Sequence, residues 1–188
     1  MKTILKDNSG EIYVYPAYFA EWNLLDRLNN FELKQESIVL FGKQIAQPRL
    51  SALYGKPSTN YKYSGKLFHA IPWEGELKEM AQQCAQICNT DFNTGLFNYY
   101  RNGSDSMGLH ADDEGELGMN PTIASVSFGG TRKMVFRKRQ SKEKIVVPLY
   151  HGDLLIMKGA LQHHWKHELP KEKKVEDARL NITFRQVR

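Results

Sequence analysis

The chain contains 188 residues, of which 41% are hydrophobic and 25% are charged, and its formal net charge is +5. This length is sufficient for one domain with a complete hydrophobic core, and the composition excludes a disordered or fibrous chain. The mild positive charge is compatible with a nucleic-acid partner but does not demand one. No apolar run is long enough for a signal peptide or a membrane-spanning helix, so we expect no association with a membrane.

The first part of the chain predicts one helix and one hairpin. Residues 18–30, YFAEWNLLDRLNN, have the apolar spacing of an amphipathic helix. Residues 37–55 predict a β-hairpin with its turn near Gly42. Residues 58–65, STNYKYSG, predict a loop or an edge segment that carries tyrosines.

A second helix is predicted around the two cysteines. Apolar residues recur at helical spacing from Leu77 to Cys88, and Cys84 lies on the same apolar face. The cysteine spacing is not the C-x-x-C pattern of a redox or metal site, so we interpret both residues as buried, reduced thiols. Reduced thiols indicate a reducing compartment, which is the cytoplasm, or the nucleus if the source is eukaryotic.

From residue 92 onward the pattern changes to short strands separated by turn signals such as Gly129-Gly130. Successive short strands are typical of an antiparallel sandwich or a jelly-roll barrel. The fold class predicted from the sequence is therefore a single α+β unit, in which N-terminal helices precede a jelly-roll barrel.

The last predicted strand, RLNITFR, places two arginines on one face. Side chains alternate along a strand, so Arg179 and Arg185 share a face with Asn181 and Thr183. One interpretation is a half-exposed strand with a solvated polar face. The other is a ligand site: the arginines lie about 20 Å apart at roughly 3.3 Å per residue. By leaning together they would bind a small molecule with a carboxylate at each end, since a guanidinium pairs with a carboxylate through two hydrogen bonds.

The stretch GLHADDEGE contains a histidine followed two residues later by an aspartate. At the end of a strand, His110 and Asp112 would point toward the same place. One more imidazole would complete the two-histidine, one-carboxylate triad that binds Fe(II) in oxygenases. The later segment HHWKH offers His163, His164 or His167 as that third ligand.

Five segments together resemble the AlkB family of Fe(II)- and 2-oxoglutarate-dependent dioxygenases. In chain order they are NYYRNG, LHADDE, ASVSFG, WKHELP and RLNITFR. The last of these agrees with the family pattern R-x-N-x-T-F-R at every fixed position. The resemblance extends from about residue 38 to the end of the chain and implies a double-stranded β-helix, the jelly-roll barrel of this family, with a nucleotide-recognition lid.

The resemblance implies a set of residues for each cofactor. The iron ligands would be His110, Asp112 and His167, because the family places its second histidine just before a Leu-Pro step, as in HELP. The cosubstrate 2-oxoglutarate would be bound by Asn98, Tyr100, Arg179, Asn181 and Arg185. The third cofactor would be O2.

The resemblance also implies a reaction and residues that hold its substrate. The reaction is oxidative removal of N-alkyl groups, of the 1-methyladenine and 3-methylcytosine type, from DNA bases, with release of aldehyde, succinate and CO2. Asp113 and Glu114 would lie near the target base, although each could simply be solvated in a loop. Tyr63 would stack on the base opposite His110, with Tyr61 on the same face, although a buried tyrosine is the alternative for both.

The segment IVLFGKQIAQPR resembles the hairpin of the family's duplex-DNA repair branch. Leu40 and Phe41 precede Gly42 in the positions of an apolar wedge that enters the gap left by a flipped base. Arg49 would then contact DNA. We accordingly expect residues 36–70 to form a hairpin and nucleotide-recognition lid.

The catalytic core is expected at residues 92–188. Within it, the basic segment from Arg132 to Lys144 would either line a phosphate path or form a solvated charged hairpin. We expect a monomer that acts on alkylated DNA, duplex and single-stranded. Two alternatives remain: an RNA or tRNA demethylase of the same family, and a non-catalytic nucleic-acid-binding module on the same barrel.

Overall fold

The computed structural model describes residues 1–40, 43–57, 59–63 and 66–188. Most of the described part is β-structure, and it contains two α-helices and 3-10 helices at Leu25–Asn30 and Gly115–Leu117. The helices are α1 (Gly75–Cys88) and α2 (Leu161–His164). The strands are β1 (Lys2–Asp7), β2 (Gly10–Tyr15), β3 (Ser37–Leu40), β4 (Lys43–Ala46), β5 (Leu50–Gly55), β6 (Asn60–Tyr63), β7 (Lys66–His69), β8 (Ile71–Pro72), β9 (Thr94–Tyr100), β10 (Met107–His110), β11 (Ile123–Gly129), β12 (Arg132–Lys138), β13 (Lys144–Leu149), β14 (Leu154–Lys158), β15 (Trp165–Leu169) and β16 (Arg179–Arg185).

Two sheets form the body of the fold. The large sheet has the order β1-β2-β14-β11-β16-β9-β5-β8, and the small sheet has the order β10-β15-β12-β13. All neighbours are antiparallel except β5 and β8. Ile12 and Ile123 of the large sheet pack in one buried cluster with Phe136 and Leu149 of the small sheet. This arrangement confirms the predicted jelly-roll architecture.

Helix α1 covers the outer face of the large sheet. Its buried face contains Leu77, Met80, Ala81 and Cys84, which belong to the same core cluster as Phe184 of β16. Burial raises the pKa of the Cys88 thiol to about 12, so this side chain remains protonated at neutral pH. The prediction of a helix with thiol groups on its packed face is confirmed.

The predicted order of elements is confirmed only in part: α1 precedes strand β9 and the strands after it, but a β-hairpin and not a helix begins the chain. Residues 2–15 form the hairpin β1–β2, which joins the large sheet through the pairing of β2 with β14. The sequence IYVY suits a strand because β-branched and aromatic side chains pack well on a pleated surface. Residues 18–30 contain turns and the 3-10 helix instead of an amphipathic α-helix. Phe19 is fully buried there, and its amide donates to Gly152 O at 2.8 Å.

Two short ribbons lie outside the main sheets. β3 pairs with β4, and β6 pairs with β7, as separate two-stranded sheets. The first ribbon confirms the predicted hairpin at its start, whereas β5, which was expected in the same hairpin, belongs to the large sheet. Phe41 and Gly42, near which the sequence predicts the turn, lie outside the described residues. In the described part of the chain, no helix has the length and apolar character needed to cross a membrane.

Candidate active site

The small sheet brings two histidines and an aspartate together. His110 ends β10 and is paired directly with His167 of β15, and their ring centroids are 4.3 Å apart. Asp112 follows two residues later. The possible ligand atoms of His110, Asp112 and His167 all lie within 4.8 Å of one another. His163 and His164 are exposed on α2, so the structure assembles the three residues that the sequence predicted.

Each imidazole is oriented with a ring nitrogen available for a metal. His110 Nδ1 lies 2.8 Å from Gly108 O and donates to it, so Nε2 is the ring nitrogen that could bind a metal. His167 Nε2 lies 3.7 Å from Asp112 Oδ2. Burial, followed by the charge of His110, lowers the pKa of His167 to about 3. His167 is therefore neutral at physiological pH, which is the form that binds a metal.

The surroundings of the Asp112 side chain indicate whether the site fits a cation. The side chain is completely buried, and Oδ1 accepts a hydrogen bond of 2.8 Å from Arg185 Nη2. Burial favours a higher pKa, but the charges of Arg185, His167 and His110 outweigh it and lower the pKa of Asp112 to about 2. Oδ2 has no hydrogen-bond partner among the described residues. An ionised, buried oxygen that faces two imidazoles fits a divalent metal ion.

A cavity between the two sheets adjoins this cluster. Strands β9 and β16 supply its floor, with Asn98 opposite Asn181 and Tyr100 opposite Arg179 in their pairing. All seven residues of β16 are buried, so the half-exposed interpretation of this strand is wrong. Its apolar face packs toward α1, and its polar face, including both arginines, lines the cavity.

The two buried arginines have hydrogen-bonding capacity left over. Arg179 donates from Nη2 to Ser127 Oγ at 2.9 Å, and its guanidinium carbon lies 5.5 Å from the Tyr100 ring centroid. Burial lowers the pKa of Arg179 to about 10. The Nε atoms of Arg179 and Arg185 are buried without hydrogen-bond partners among the described residues. A small dicarboxylate in the cavity would satisfy both groups.

The two acidic residues after Asp112 have different surroundings. Asp113 is half-exposed and forms an ion pair of 2.9 Å with Arg139. Glu114 turns inward, and its Oε2 is buried without a hydrogen-bond partner among the described residues. Burial, followed by the charge of Asp112, raises the pKa of Glu114, and the charge of Arg185 opposes this rise.

The aromatic residues expected to hold a base are only partly described. Tyr61 is 1% exposed, and its ring centroid lies 5.8 Å from the Arg185 guanidinium carbon. This burial agrees with the alternative of a core tyrosine, and contact with a base stays a prediction. The side chain of Tyr63 and the whole of Phe41 lie outside the described part of the structure, so their predicted contacts also stay predictions.

Two basic residues lie in places that the sequence did not indicate. Arg49 is buried, and its Nε donates to Asn98 Oδ1 at 2.8 Å, so it contacts a residue that lines the cavity and does not lie on an exposed surface. Contact with DNA stays a prediction for this residue. Arg132 is fully buried and donates from Nη2 to the carbonyl oxygens of Asp105 and Pro170, which excludes it from a phosphate path.

The fold and site define a class of protein that the comparison with family models also identifies. Residues 20–185 match the family described as the 2OG-Fe(II) oxygenase superfamily, and the chain belongs to this superfamily. Fe(II), 2-oxoglutarate and O2, the cofactors expected from the sequence, are the cofactors of this class.

Curated relatives place the chain more narrowly, in the AlkB family. The human DNA oxidative demethylase ALKBH2 is 39% identical over 158 residues, which cover 80% of this chain and 60% of the relative. The human alpha-ketoglutarate-dependent dioxygenase alkB homolog 3 is 36% identical over 192 residues, which cover 95% of this chain and 66% of the relative. The Arabidopsis thaliana DNA oxidative demethylase ALKBH2 is 32% identical over 217 residues, which cover 99% of this chain and 69% of the relative. The matches to the two human proteins thus span less than two thirds of their lengths.

A solved structure shares the fold. The structure of OsALKBH1 superposes with a TM-score of 0.66 and covers 98% of this chain and 100% of its own. The two sequences are 17% identical, so the comparison supports the architecture alone.

Proposed function

We propose that this protein is an Fe(II)- and 2-oxoglutarate-dependent dioxygenase that oxidatively removes N-alkyl groups from DNA bases. Lesions of the 1-methyladenine and 3-methylcytosine type would be its substrates, and aldehyde, succinate and CO2 its products. One observation carries the proposal: the buried Asp112 lies between two imidazoles and Arg185, beside a cavity lined by two arginines whose Nε atoms have no hydrogen-bond partner among the described residues.

His110, Asp112 and His167 would hold the iron. When bound, Fe(II) together with 2-oxoglutarate and O2 supplies the oxidising power that attacks the alkyl carbon. The protein's contribution is to keep His167 neutral and Asp112 ionised. Burial of Asp112 and His167 also keeps water away from the reacting centre.

The two arginines would bind opposite ends of 2-oxoglutarate. Arg185 touches Asp112, so we assign it to the carboxylate nearer the metal. Arg179 lies beside Tyr100 and would bind the distant carboxylate. Asn98 and Asn181 lie opposite each other on adjacent strands between these ends. This division of roles follows from the position of Asp112 alone.

Glu114 is the better candidate of the two acids for contact with the base. A carboxylate oxygen accepts a hydrogen bond from an exocyclic amine, and Glu114 Oε2 is buried near Asp112. Asp113 instead pairs with Arg139 on the outside. The base would be rotated out of its stack into a pocket formed by Glu114, Tyr61, Tyr63 and His110.

The ribbon β3–β4 supports an action on duplex DNA. It pairs with neither main sheet, and every residue of β4 is exposed, including Ile45 at 44%. Phe41 between its strands would fill the gap left by the flipped base, with residues 36–70 as a recognition lid over the core at residues 92–188. Arg49, which follows the ribbon, would connect this lid to the cavity.

The proposed activity is tested by incubating the protein with methylated oligonucleotides, Fe(II) and 2-oxoglutarate, and measuring oligonucleotide mass. Duplex DNA, single-stranded DNA and RNA of one sequence are compared. We expect loss of the methyl mass from DNA and no loss with Asp112→Asn. Preference for RNA would favour an RNA demethylase, and no loss from any oligomer, despite bound iron and 2-oxoglutarate, would favour the non-catalytic module.

A further inference from the structure

We infer that Gln162 is a positioning residue for the metal centre, because its side-chain amide holds the loop that presents Asp112. The inference rests on the proposed function only for the statement that this site binds iron. Gln162 lies on α2, and its side chain is 1% exposed, which is unusual for a glutamine that contacts no substrate.

The key contact satisfies a buried backbone group. The amide of Asp112 donates to Gln162 Oε1 at 3.0 Å. Pairing between β10 and β15 ends at His110 and His167, so Asp112 lies beyond the last ladder position. A buried backbone N–H without a hydrogen-bond partner lowers the stability of the folded state. Gln162 accepts the hydrogen bond that a neighbouring strand would otherwise accept from the Asp112 amide.

Gln162 is itself held from two sides. Its Nε2 lies 3.8 Å from Met157 Sδ, which directs Oε1 toward Asp112. Its backbone oxygen accepts a hydrogen bond of 3.3 Å from Arg139 Nη2. The same Nη2 lies 2.9 Å from Asp113 Oδ2, so Arg139 joins the acidic loop to α2 next to the Gln162 contact.

The N-terminal hairpin packs closely against α2. Gly10 begins β2 with φ of 132°, and a Cβ atom there would lie 2.5 Å from Leu161 Cα. Leu161 is 1% exposed and precedes Gln162 directly. The hairpin at residues 2–15 precedes the family match at residues 20–185, so this contact with α2 comes from a segment outside that match.

These contacts determine where the Asp112 carboxylate points. Arg185 holds Oδ1 from the cavity side, and Gln162 holds the backbone from the α2 side. With both fixed, Oδ2 faces His167 Nε2. Partners that orient metal ligands typically affect metal affinity by about 10- to 100-fold, so loss of the Gln162 contact should weaken metal binding by that amount.

The test compares Co(II) binding to metal-free protein by anaerobic absorption titration. Gln162→Met keeps the side-chain length but removes the acceptor, and Gln162→Glu keeps an oxygen acceptor. His163→Gln changes an exposed neighbour on α2 and is the matched control. We expect the Co(II) Kd to rise about 10- to 100-fold in Gln162→Met. The other two variants should bind Co(II) like the original protein, because Gln162→Glu keeps an acceptor for the Asp112 amide and His163→Gln leaves Gln162 unchanged.

Thermal unfolding of the metal-free variants separates positioning from general stability. A folded Gln162→Met that binds Co(II) like the original protein overturns the inference, whatever its melting temperature. If Gln162→Met does not fold, Gln162→Asn, one methylene too short to reach the Asp112 amide, is judged by the same criterion. Absence of demethylation would contradict the proposed function and leave this comparison of Co(II) affinities intact.

Discussion

Asp112 and Arg185 form a buried ion pair in which Oδ1 and Nη2 are 2.8 Å apart and the side chains are 0% and 4% exposed. The pair joins the acidic loop after β10 to the last strand of the large sheet. Through it, the residue proposed to bind iron touches the residue proposed to bind the cosubstrate. The two proposed cofactor sites are connected by this pair, so a change at either residue should affect both.

Replacing Arg185 with Lys should weaken 2-oxoglutarate binding by about 10- to 100-fold. Lysine keeps the charge but loses the planar fork, and a hydrogen bond to a charged group contributes about 1.5–3 kcal/mol. Isothermal titration of the metal-loaded protein under anaerobic conditions measures the effect. Arg137→Lys, which alters an exposed pair with Glu168, is the control and should bind 2-oxoglutarate normally. Unchanged affinity in Arg185→Lys would remove this arginine from the proposed cosubstrate site.

The metal-free protein should lose stability between pH 7 and pH 5 because of His167. Burial lowers its pKa from 6.5 to about 3, so the folded state keeps the imidazole neutral while the unfolded chain binds a proton. Protonation of the unfolded state alone lowers the free energy of unfolding, by about 2 kcal/mol over this interval. Urea unfolding after chelation, at both pH values, measures this loss.

The matched variant for this pH effect is His167→Gln, which cannot titrate. Its free energy of unfolding should fall by about 2 kcal/mol less than that of the original protein over the same interval. Asp112 does not contribute to the loss of stability between pH 7 and pH 5. Its carboxyl group has a pKa of about 2 in the folded state and about 3.9 in the unfolded chain, so it is ionised in both states over this interval. Equal losses in the two proteins would show that His167 is not held neutral by the fold.

Gly10→Ala should destabilise the protein by about 1–3 kcal/mol, because the new methyl group has no space against α2. The backbone at Gly10 also has φ of 132°, which side chains with a Cβ rarely adopt. Gly115→Ala is the control, since its chain neighbours aside no atom of the described residues lies within 4 Å of its Cβ position. Denaturant unfolding with both variants checks the prediction. If the two substitutions cost the same, the close contact with Leu161 is not important for stability.

Phe41→Ala should slow repair of methylated duplex DNA and leave repair of single-stranded DNA nearly intact. Unstacking a base costs a few kcal/mol in a duplex and much less in a single strand. A side chain that fills the gap therefore matters mainly for duplex substrates. Rates are compared on one sequence in both forms. Equal losses would indicate a core role for Phe41, and equal retention would mean that the ribbon does not contact DNA.

The sequence predicted those parts of the structure in which a local pattern and a distinctive motif coincide. The alternation in RLNITFR placed Arg179 and Arg185 on one face, and the helical spacing around Cys84 predicted α1. The strand β15 was not predicted, although it carries His167, because its five residues mix apolar and charged side chains.

Other features depend on contacts that no local pattern records. The aromatic segment after residue 15 was interpreted as a helix because its apolar residues recur at helical spacing, yet Phe19 is anchored by Gly152, far away in the sequence. Arg49 and Arg132 look like surface cations in the sequence, but carbonyl and amide oxygens from distant segments bury them. Gln162 gave no signal at all, since its partner is the backbone of Asp112.

The most direct test of the central claim is the stoichiometry of Fe(II) and 2-oxoglutarate in anaerobic equilibrium dialysis. The original protein, His163→Ala and His164→Ala should each bind one Fe(II) and one 2-oxoglutarate per chain. His167→Ala should bind no stoichiometric iron, because it removes one of the three residues proposed to hold the metal. Stoichiometric iron in His167→Ala, or its loss in His163→Ala or His164→Ala, would contradict the proposed metal centre.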